Sequence, residues 1–303
     1  MKKMDYLNFY SLLRQEESQK TKTLKHSKFY RTDKTTYNFL FIFDGKILIK
    51  NNSPFFYTSK YISKQFNKLS LSIISFIKNN IFMLCILNEE DINKFDFLID
   101  SESFNVRDAL FNLKIKNANI LSAGYSLYRW QKNNTYCGNC GNKNKINDHG
   151  NSLMCSNKSC KRKIFPSAYP TIIVNIVHEN KILLARNINW KKNLYSCIAG
   201  FCEQNESAEE TVRREALEEV GLKLKNITYK YSQYWPFTNN LMLGFEATVY
   251  AQKNKIKINK NEIEKAKWFS SNDIKKLHKQ KKLILPRKEA IAYSLITDWI
   301  KKN

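Results

Sequence analysis

Three glutamates in the C-terminal half of the chain stand at a spacing that brings their carboxylates together. Glu215, Glu218 and Glu219 occupy positions i, i+3 and i+4 of the segment 208–219, a predicted helix with Ser207 as its N-cap. Three like charges on one helix face repel one another, and divalent cations would neutralise them. Hard carboxylate oxygens suit Mg²⁺ or Mn²⁺. The spacing therefore predicts a divalent-metal site, with a solvated acidic helix face as the simpler alternative.

The residues around these glutamates favour the metal site. Gly200, Glu206 and Arg214 lie at fixed offsets that a solvated face does not require, and Gly221 can end the helix. The pattern is Gly, five residues, Glu, seven residues, then Arg-Glu-x-x-Glu-Glu-x-Gly. It resembles the Nudix box at every defining position. The resemblance implies a loop–helix–loop on an α/β/α sandwich and substrates that are nucleoside diphosphates linked to another moiety. It also implies metal binding by the three glutamates and an ion pair between Arg214 and Glu206.

Four cysteines occur as two pairs at metal-ligand spacing, namely Cys137, Cys140, Cys155 and Cys160. Fourteen residues separate the pairs, which suits a tetrahedral Zn²⁺ held by four thiolates. Gly138 and Gly141 are expected to allow the tight turn that points both sulfurs of the first pair at one metal. We interpret His149 as a loop histidine, because four cysteines complete the ligand set. Four protein ligands leave no open position, so the predicted zinc is structural; four unrelated buried cysteines are the alternative.

Further stretches resemble one group within the Nudix family. Ser-Gln-Tyr-Trp-Pro-Phe at 232–237, followed by Asn240-Leu-Met, is similar to the Ser-Gln-Pro-Trp-Pro-Phe-Pro-x-Ser-Leu-Met signature of the NADH pyrophosphatases. A zinc ribbon precedes the box in that group as well. Glu262 and Ala292 stand where the group has its last metal ligand and a substrate-contacting helix. This resemblance covers about residues 120–303.

Several positions depart from the pattern of the group. Tyr234 and Thr238 replace prolines, Asn240 replaces the signature serine, and Asn205 stands where glycine usually precedes the glutamate. Asn240 can still hydrogen-bond a phosphate or a ribose. These departures leave the substrate preference open.

The resemblance implies a complete set of site residues. Phe165 and Phe201 match positions whose rings stack on nicotinamide, with core packing as the alternative for either ring. The implied substrate-binding residues are Phe165, Phe201, Gln233, Trp235, Asn240 and Ala292. The implied catalytic residues are Glu206, Arg214, Glu215, Glu218, Glu219 and Glu262, and the last four would hold Mg²⁺ or Mn²⁺.

The activity implied by the resemblance is hydrolysis of the pyrophosphate bond of NADH or NAD⁺ to nicotinamide mononucleotide and AMP, dependent on a divalent metal. Removal of NAD caps from RNA 5′ ends is an alternative that cuts the same bond. A non-catalytic zinc-ribbon RNA-binding protein is a further alternative from another class. One Zn²⁺ per chain and a homodimer are expected.

The composition leaves both kinds of substrate open. The 303 residues include 51 Lys and Arg against 27 Asp and Glu, a net charge of +24, which attracts nucleic acid and other anions. The lysines are spread along the whole chain, which favours a general coding bias as the origin of the charge. With 43% hydrophobic residues the chain can bury a sizeable core, so the composition is not that of a disordered protein.

The cysteine count and the apolar runs predict a cytoplasmic protein without a membrane segment. Seven cysteines, four of them at metal-ligand spacing, favour a reducing compartment over a disulfide framework. The start of the chain lacks the apolar stretch of a signal peptide. Lys78 interrupts the apolar run 69–87, which is then too short on each side to span a bilayer and is expected to form two strands.

The predicted fold class is α+β in three parts. Residues 1–125 are expected to form a mixed, β-rich scaffold or dimerisation domain, residues 126–168 the zinc ribbon, and residues 169–303 the Nudix sandwich. Asp44-Gly45 between two apolar runs predicts a hairpin. Strands are predicted at 37–42, 46–50, 81–87, 171–177, 181–185 and 241–251, and helices at 103–113, 118–130, 208–219 and 288–301.

Overall fold

The structure is a computed structural model that describes residues 36–58, 71–77, 80–92, 98, 100–112, 118–250 and 255–303. The chain divides into two compact units. The first comprises residues up to Ser167 together with Pro236–Asn239, and the second comprises Ala168–Trp235 with Asn240–Asn303. Strands and α-helices are numbered separately, in chain order, among the described residues.

The first unit is built on a mixed six-stranded sheet. Its strands are β1 (Thr36–Phe43), β2 (Lys46–Ile49), β3 (Phe55–Thr58), β4 (Leu71–Ile77), β5 (Asn80–Leu87) and β6 (Glu102–Phe104). The order is β4-β5-β1-β2-β6, with β3 also paired to β1, and the β1–β5 pair is parallel. The hairpin at Asp44-Gly45 is confirmed, because φ is positive at both residues (45° and 74°), as a type I′ turn requires. The two strands expected within 69–87 are also present, as β4 and β5.

Three helices accompany this sheet: α1 (Glu89–Ile92), α2 (Val106–Asn112) and α3 (Ala118–Asn133). The prediction of a helix from residue 103 was wrong at its start, because Ser103 and Phe104 pair with β2 as strand β6. The helix begins only after Asn105, whose side chain accepts a hydrogen bond from the Arg107 amide at 2.9 Å. Its predicted last residue, Leu113, lies outside the described residues.

The cysteine segment forms a three-stranded antiparallel sheet of β7 (Asn144–Asn147), β8 (Ser152–Cys155) and β9 (Lys163–Ile164). Its turn at 148–150 lies against β4 of the same unit. Gly150 has a φ of 96°, and a Cβ placed there would come within 2.3 Å of the Ser72 Cβ. Gln131 on α3 donates a hydrogen bond to the Ser72 hydroxyl at 2.8 Å. Glycine is therefore needed at this turn for the ribbon to pack on the sheet.

Residues 236–239 complete the first unit. Phe237 is buried, and its ring lies 5.3 Å from that of Phe111, with the Arg107 guanidinium 4.5 Å above it. Arg129 donates a hydrogen bond to the Phe237 carbonyl. The Asn239 side chain donates to the Ser167 carbonyl at 2.8 Å. Residues 236–239 connect two strands of the second unit as the tip of a hairpin, but they belong to the first unit.

The second unit has its own six-stranded mixed sheet. Its strands are β10 (Tyr169–His178), β11 (Lys181–Asn187), β12 (Ile198–Phe201), β13 (Leu224–Trp235), β14 (Asn240–Val249) and β15 (Ile263–Ser270). The order is β13-β14-β10-β11-β15, β12 pairs with β10, and the β10–β14 pair is parallel. Its helices are α4 (Ala208–Val220), α5 (Ser271–Lys279) and α6 (Ile291–Lys302).

Helices cover both faces of this second sheet. On one face, Ile172 and Val174 of β10 share a core with Val212 and Ala216 of α4. Strand residues alternate between faces, so Gly244 lies on the opposite face, where a Cβ would come 3.1 Å from Ile291 of α6. The α/β/α arrangement expected from the sequence is confirmed.

The second unit also corrects two predicted boundaries. Strand β14 begins at Asn240 and ends at Val249, and residue 251 lies outside the described part of the chain. The last helix begins at Ile291 and not at residue 288, because Ala290 is an extended N-cap with ψ of 139°. Gln233 accepts a hydrogen bond from the Ile291 amide at 2.8 Å, which satisfies one of the free donors at the helix start. None of the described helices is long and apolar enough to cross a membrane.

Candidate active site and zinc site

Helix α4 is fixed at both ends by local hydrogen bonds. At its start, Ser207 and Glu210 form a capping box in which each side chain accepts from the other residue's amide, at 3.2 and 2.8 Å. At its end, Gly221 takes a left-handed φ of 71° and donates to the Leu217 carbonyl. Both predicted caps are confirmed. The caps fix the first and last residues of the helix that carries the glutamates.

Arg214 joins the loop before α4 to the helix. It binds Glu206 through Nε–Oε1 at 2.9 Å and Nη2–Oε2 at 3.0 Å, and its Nη2 also donates to the Phe201 carbonyl at 2.8 Å. Its Nη1 donates to Glu215 at 2.9 Å and to Glu218 at 3.0 Å. The Arg214 guanidinium is the main reason that the pKa of Glu206 falls to about 2. The ion pair between Arg214 and Glu206 that the resemblance implied is present.

Gly200 allows the close approach between β12 and α4. It lies on β12 opposite Ile172 of β10. A Cβ at position 200 would come within 1.9 Å of the Glu215 carboxylate, so any other residue would displace that side chain. The glycine of the box is therefore needed for the position of Glu215.

Glu219 is the most buried carboxylate of the group. Burial raises its pKa to about 8, and the charges of Glu215, Glu262 and Glu218 add to the effect. The pKa of Glu215 is also raised, first by burial, although Arg214 opposes the shift. Backbone hydrogen bonds hold Glu262 near Glu219. The Asn259 amide donates to the Glu219 carbonyl at 2.9 Å, and the Asn259 carbonyl accepts from the Glu262 amide at 3.2 Å. The four carboxylates are thus close enough to repel one another.

The donor chemistry of these carboxylates fits a divalent cation. Hard oxygen ligands suit Mg²⁺ or Mn²⁺, and a cation would let Glu219 ionise at neutral pH. The oxygens do not converge on one point, because Arg214 holds Glu215 and Glu218 towards itself. Among the described residues, the four cysteines are the group whose ligand atoms all lie within 4.8 Å of one another.

The cysteine group has the dimensions of a zinc site. The Sγ atoms of Cys137 and Cys160 lie 3.8 Å apart, and those of Cys140 and Cys155 lie 3.5 Å apart. A tetrahedron with zinc–sulfur bonds of about 2.3 Å places its sulfurs about 3.8 Å apart. The backbone amide of Asn142, hydrogen-bonded to its sulfur, is the main cause that lowers the pKa of Cys140 to about 6. That shift favours the thiolate, the form that binds metal.

The turns of the ribbon differ in part from the expectation. Gly141 takes a φ of 72° and donates to the Cys137 carbonyl at 2.9 Å, as predicted for the first knuckle. Gly138 does not have a positive φ, and Lys161 takes the left-handed position in the second knuckle, at 48°. His149 lies in the turn at 148–150, outside the cysteine group, in agreement with its interpretation as a loop histidine.

The strand register places most of the expected substrate residues on one face of the second sheet. Phe201 is opposite Thr171, and Asn240 is opposite both Tyr169 and Trp235. Side chains two residues apart share a face, so Tyr169, Thr171, Phe201, Trp235 and Asn240 all lie on the α6 side. Position 201 is therefore on the opposite face from its neighbour at 200, which abuts α4.

Three of the expected substrate residues are buried, and two of them have their amides engaged by the protein. Gln233 accepts from the Ile291 amide and donates to the Glu289 carbonyl at 2.8 Å, so it holds the start of α6. Asn240 donates to the Thr171 hydroxyl at 2.7 Å, and its Oδ1 is buried without a hydrogen bond. Ala292 is buried on α6, and Trp235 is partly exposed at the end of β13.

The two phenylalanines expected to stack on nicotinamide are both exposed. Phe165 is in the first unit, 61% exposed, with the Lys163 ammonium 5.1 Å from its ring centre. Phe201 is in the second unit, and its ring lies edge-on to that of Tyr169. The sequence analysis did not single out Tyr169 as a neighbour of Phe201. The sequence does contain a signal for it: Tyr169 precedes Thr171 by two residues, and side chains two residues apart in a strand lie on the same face.

A protein-family model matches the part of the chain that contains the candidate active site. Residues 168–288 match the model of the NUDIX domain, and this range contains all six residues of the expected catalytic set. The chain therefore carries a Nudix domain, and the recognition of this family from the box is confirmed.

Relatives of the chain narrow the resemblance further. The human protein named NAD(P)H pyrophosphatase NUDT13, mitochondrial, is 35% identical over 210 residues, which cover 65% of this chain and 59% of that protein. The human NAD-capped RNA hydrolase NUDT12 is 34% identical over 206 residues, covering 64% and 44%. The NAD-capped RNA hydrolase NudC of Mannheimia succiniciproducens is 37% identical over 171 residues, covering 55% and 63%. The similarity to the NADH pyrophosphatase group is confirmed, and the chain spans less than two thirds of the length of these relatives.

Proposed function

We propose that this protein hydrolyses the pyrophosphate bond of NADH or NAD⁺ and releases nicotinamide mononucleotide and AMP. The observation that carries the proposal is the carboxylate group on α4 and beside it. Glu219 is buried with a pKa raised to about 8 by its surroundings, next to Glu215, Glu218 and Glu262. Such a group is costly in a metal-free protein and useful once a divalent cation binds. The names of the relatives support the dinucleotide as substrate.

The reaction needs water to attack one phosphorus while the bridging oxygen leaves with the other phosphate. A bound Mg²⁺ or Mn²⁺ would polarise the phosphoryl oxygens and lower the pKa of the attacking water. Glu215, Glu218, Glu219 and Glu262 would hold the cation, and one of these glutamates would accept the proton of the water. Arg214 fixes the end of β12, which carries Phe201, against the helix that carries the glutamates.

We propose separate roles for the remaining expected residues. Phe201 is an exposed ring of the second unit that would contact the nicotinamide, and for Phe165 we keep the role that the resemblance implies. Gln233 would act by holding the start of α6, which carries Ala292, because both ends of its amide are engaged there. Asn240 has a buried carbonyl oxygen without a hydrogen bond, and a substrate hydroxyl that reaches it would satisfy it.

A substrate panel with product identification tests the proposal. NADH, NAD⁺, ADP-ribose and NAD-capped RNA are incubated with the protein, with and without added Mg²⁺ or Mn²⁺. We expect nicotinamide mononucleotide and AMP from the free dinucleotides only when a divalent metal is present. Absence of turnover with either metal would contradict the proposal and favour a non-catalytic RNA-binding protein.

Removal of NAD caps from RNA is a second candidate function. The net charge of +24 and the two relatives named NAD-capped RNA hydrolase favour it. Lysines that contact the phosphates of an RNA body release counterions, so binding falls steeply with salt. Free NADH offers few phosphates and is expected to give a shallow salt dependence. A steep slope for capped RNA, with a higher kcat/KM than for NADH at low salt, would support this function.

We also propose one structural Zn²⁺ per chain, a homodimer and a cytoplasmic location. The proposed zinc site rests on the sulfur spacing described above. Light scattering measures the oligomeric state directly, and fractionation of the source cells tests the location.

A further inference from the structure

Two exposed aromatic rings stand side by side on the second unit. Tyr169 is 55% exposed and Phe201 is 57% exposed. Their ring centres lie 6.4 Å apart, and the ring planes meet at 87°. The rings belong to the neighbouring strands β10 and β12, on the same face of the sheet. Exposed apolar groups that adjoin one another mark binding surfaces more often than isolated ones do.

Backbone hydrogen bonds tie these two rings to the carboxylate group. The carbonyl of Phe201 accepts from Arg214, which also holds Glu215 and Glu218. The amide of Cys202 donates to the carbonyl of Pro170 at 3.0 Å, which fixes the strand of one ring to the strand of the other. The rings therefore hold a fixed relation to the residues proposed to bind the metal.

We infer that Tyr169 and Phe201 form an aromatic corner that takes the planar heteroaromatic ring of the substrate, with Tyr169 as a specificity-determining residue. The inference rests on the proposed function. Because the two planes are perpendicular, a flat ring that stacks on the face of Phe201 presents its edge to Tyr169. Stacked and edge-to-face contacts are the two arrangements that aromatic pairs favour. Because the resemblance implies that Phe201 stacks on nicotinamide, the corner selects pyrophosphates that carry a nicotinamide ring over those that lack one.

Another exposed tyrosine of the same unit shows what a merely structural ring looks like. Tyr229 is 52% exposed and meets Phe245 edge-on, with ring centres 5.8 Å apart and planes at 76°. Phe245, however, is buried in the core at 2% exposed. Tyr229 therefore covers a core residue, whereas both rings of the Tyr169–Phe201 pair face water. Tyr229 is the matched control for Tyr169.

The test measures kcat and KM with NADH and with ADP-ribose, which keeps the pyrophosphate and lacks the nicotinamide. We expect Tyr169→Ala to raise KM for NADH about three- to tenfold, with kcat within about twofold, as loss of one aromatic contact implies. KM for ADP-ribose should not change. Tyr169→Phe should keep the native KM for NADH because the ring remains, and Tyr229→Ala should leave both substrates unaffected.

A double-mutant cycle adds a readout that simple destabilisation would not give. If both rings hold one nicotinamide, Tyr169→Ala should cost less in the Phe201→Ala background than in the native protein. Equal KM changes on NADH and ADP-ribose would overturn the inference. So would an unchanged KM for NADH in Tyr169→Ala, or a Tyr169→Phe variant as impaired as Tyr169→Ala.

Calorimetric binding of NADH to the metal-free protein separates this inference from the proposed function. If the native protein binds NADH in this experiment but does not hydrolyse it after Mg²⁺ or Mn²⁺ is added, the proposed function fails. The aromatic corner is still supported in that case if Tyr169→Ala binds NADH more weakly than the native protein and Tyr229→Ala binds it as well as the native protein does. If neither variant changes the Kd for NADH, or if the native protein does not bind NADH, the inference fails.

Discussion

Arg214 and Glu206 form a two-point ion pair, with Nε–Oε1 at 2.9 Å and Nη2–Oε2 at 3.0 Å, across the loop that leads into α4. The pair holds the pKa of Glu206 at about 2, below its ordinary value of 4.5. A depressed carboxylate pKa stabilises the fold above the unfolded pKa, and the contribution disappears as pH falls through the folded pKa. The stabilisation by Glu206 is therefore complete above about pH 4.5 and lost towards pH 2.

Glu206→Gln should lower the melting temperature at pH 6, because it removes the charged partner of Arg214. The difference from the native protein should shrink between pH 4.5 and pH 2, where native Glu206 itself becomes protonated. Thermal melts across this range measure it. Glu209→Gln, which changes an exposed glutamate in the first turn of α4, is the control and should show no such dependence. A difference that stays constant down to pH 2 would contradict the assignment.

Glu219 gives the opposite pH dependence in the metal-free protein. Its pKa is raised to about 8 from 4.5, so ionisation in the folded state is costly. The fold should lose stability as pH rises from about 4.5 to about 8. Glu219→Gln should flatten this loss, and Mg²⁺ should reverse it in the native protein alone. Melts in buffers free of divalent cations test this, without a chelator, because a chelator would also remove the zinc proposed for the cysteine group. A native melting temperature that is flat over this range would count against the raised pKa.

Turnover should depend on Glu218 and Glu219 to different degrees. We expect Glu219→Gln to reduce kcat at least about 10²-fold, because a buried metal-holding charge is lost from the transition state. Glu218→Gln should lose at least about 10²-fold as well, but less than Glu219→Gln, since its side chain is 55% exposed. Rates at saturating Mg²⁺ are compared after circular dichroism shows an intact fold. Near-native rates in both variants would place the metal elsewhere.

The ribbon should contain one zinc ion per chain. Cys140→Ser is expected to lower both zinc content and melting temperature, because the short polar ribbon gains folding free energy from its metal. Elemental analysis of the purified protein measures the first quantity. Cys202→Ser makes the same chemical change outside the cysteine group and should retain the metal. Native protein without zinc would contradict the prediction.

Gly200→Ala should reduce activity more than stability. The added Cβ would come within 1.9 Å of the Glu215 carboxylate and must push it aside, so we expect kcat to fall at least about tenfold. Gly138→Ala is the matched control, since nothing lies within 4 Å of its added Cβ. Equal kcat values for the two variants would show that Glu215 tolerates displacement.

Local signals in the sequence predicted local structure well. Asp44-Gly45 specified its turn, and Ser207 and Gly221 specified the ends of α4, because each acts through its own backbone or a neighbour within a few residues. The cysteine spacing likewise predicted the sulfur cluster.

Features that depend on pairing between distant segments were harder to predict. Ser103 became part of a strand because β2 pairs with it, although its own segment has helical periodicity. Tyr169 became a neighbour of Phe201 only through the register of β10 and β12. Gln233 holds the start of α6 through hydrogen bonds to backbone atoms 56 and 58 residues away. No periodicity in one segment carries this information.

The packing of Phe237 into the first unit has a consequence for how the chain folds as it is synthesised. A ribosome completes residues 168–235 before Phe237 exists, so the first unit emerges early but lacks the residues that cover Phe111 and bind Arg129. Domains usually fold in the order in which they are made. Here the earlier unit reaches its final form only after much of the later one has been translated. The hairpin tip therefore acts as a late closing segment for the first unit.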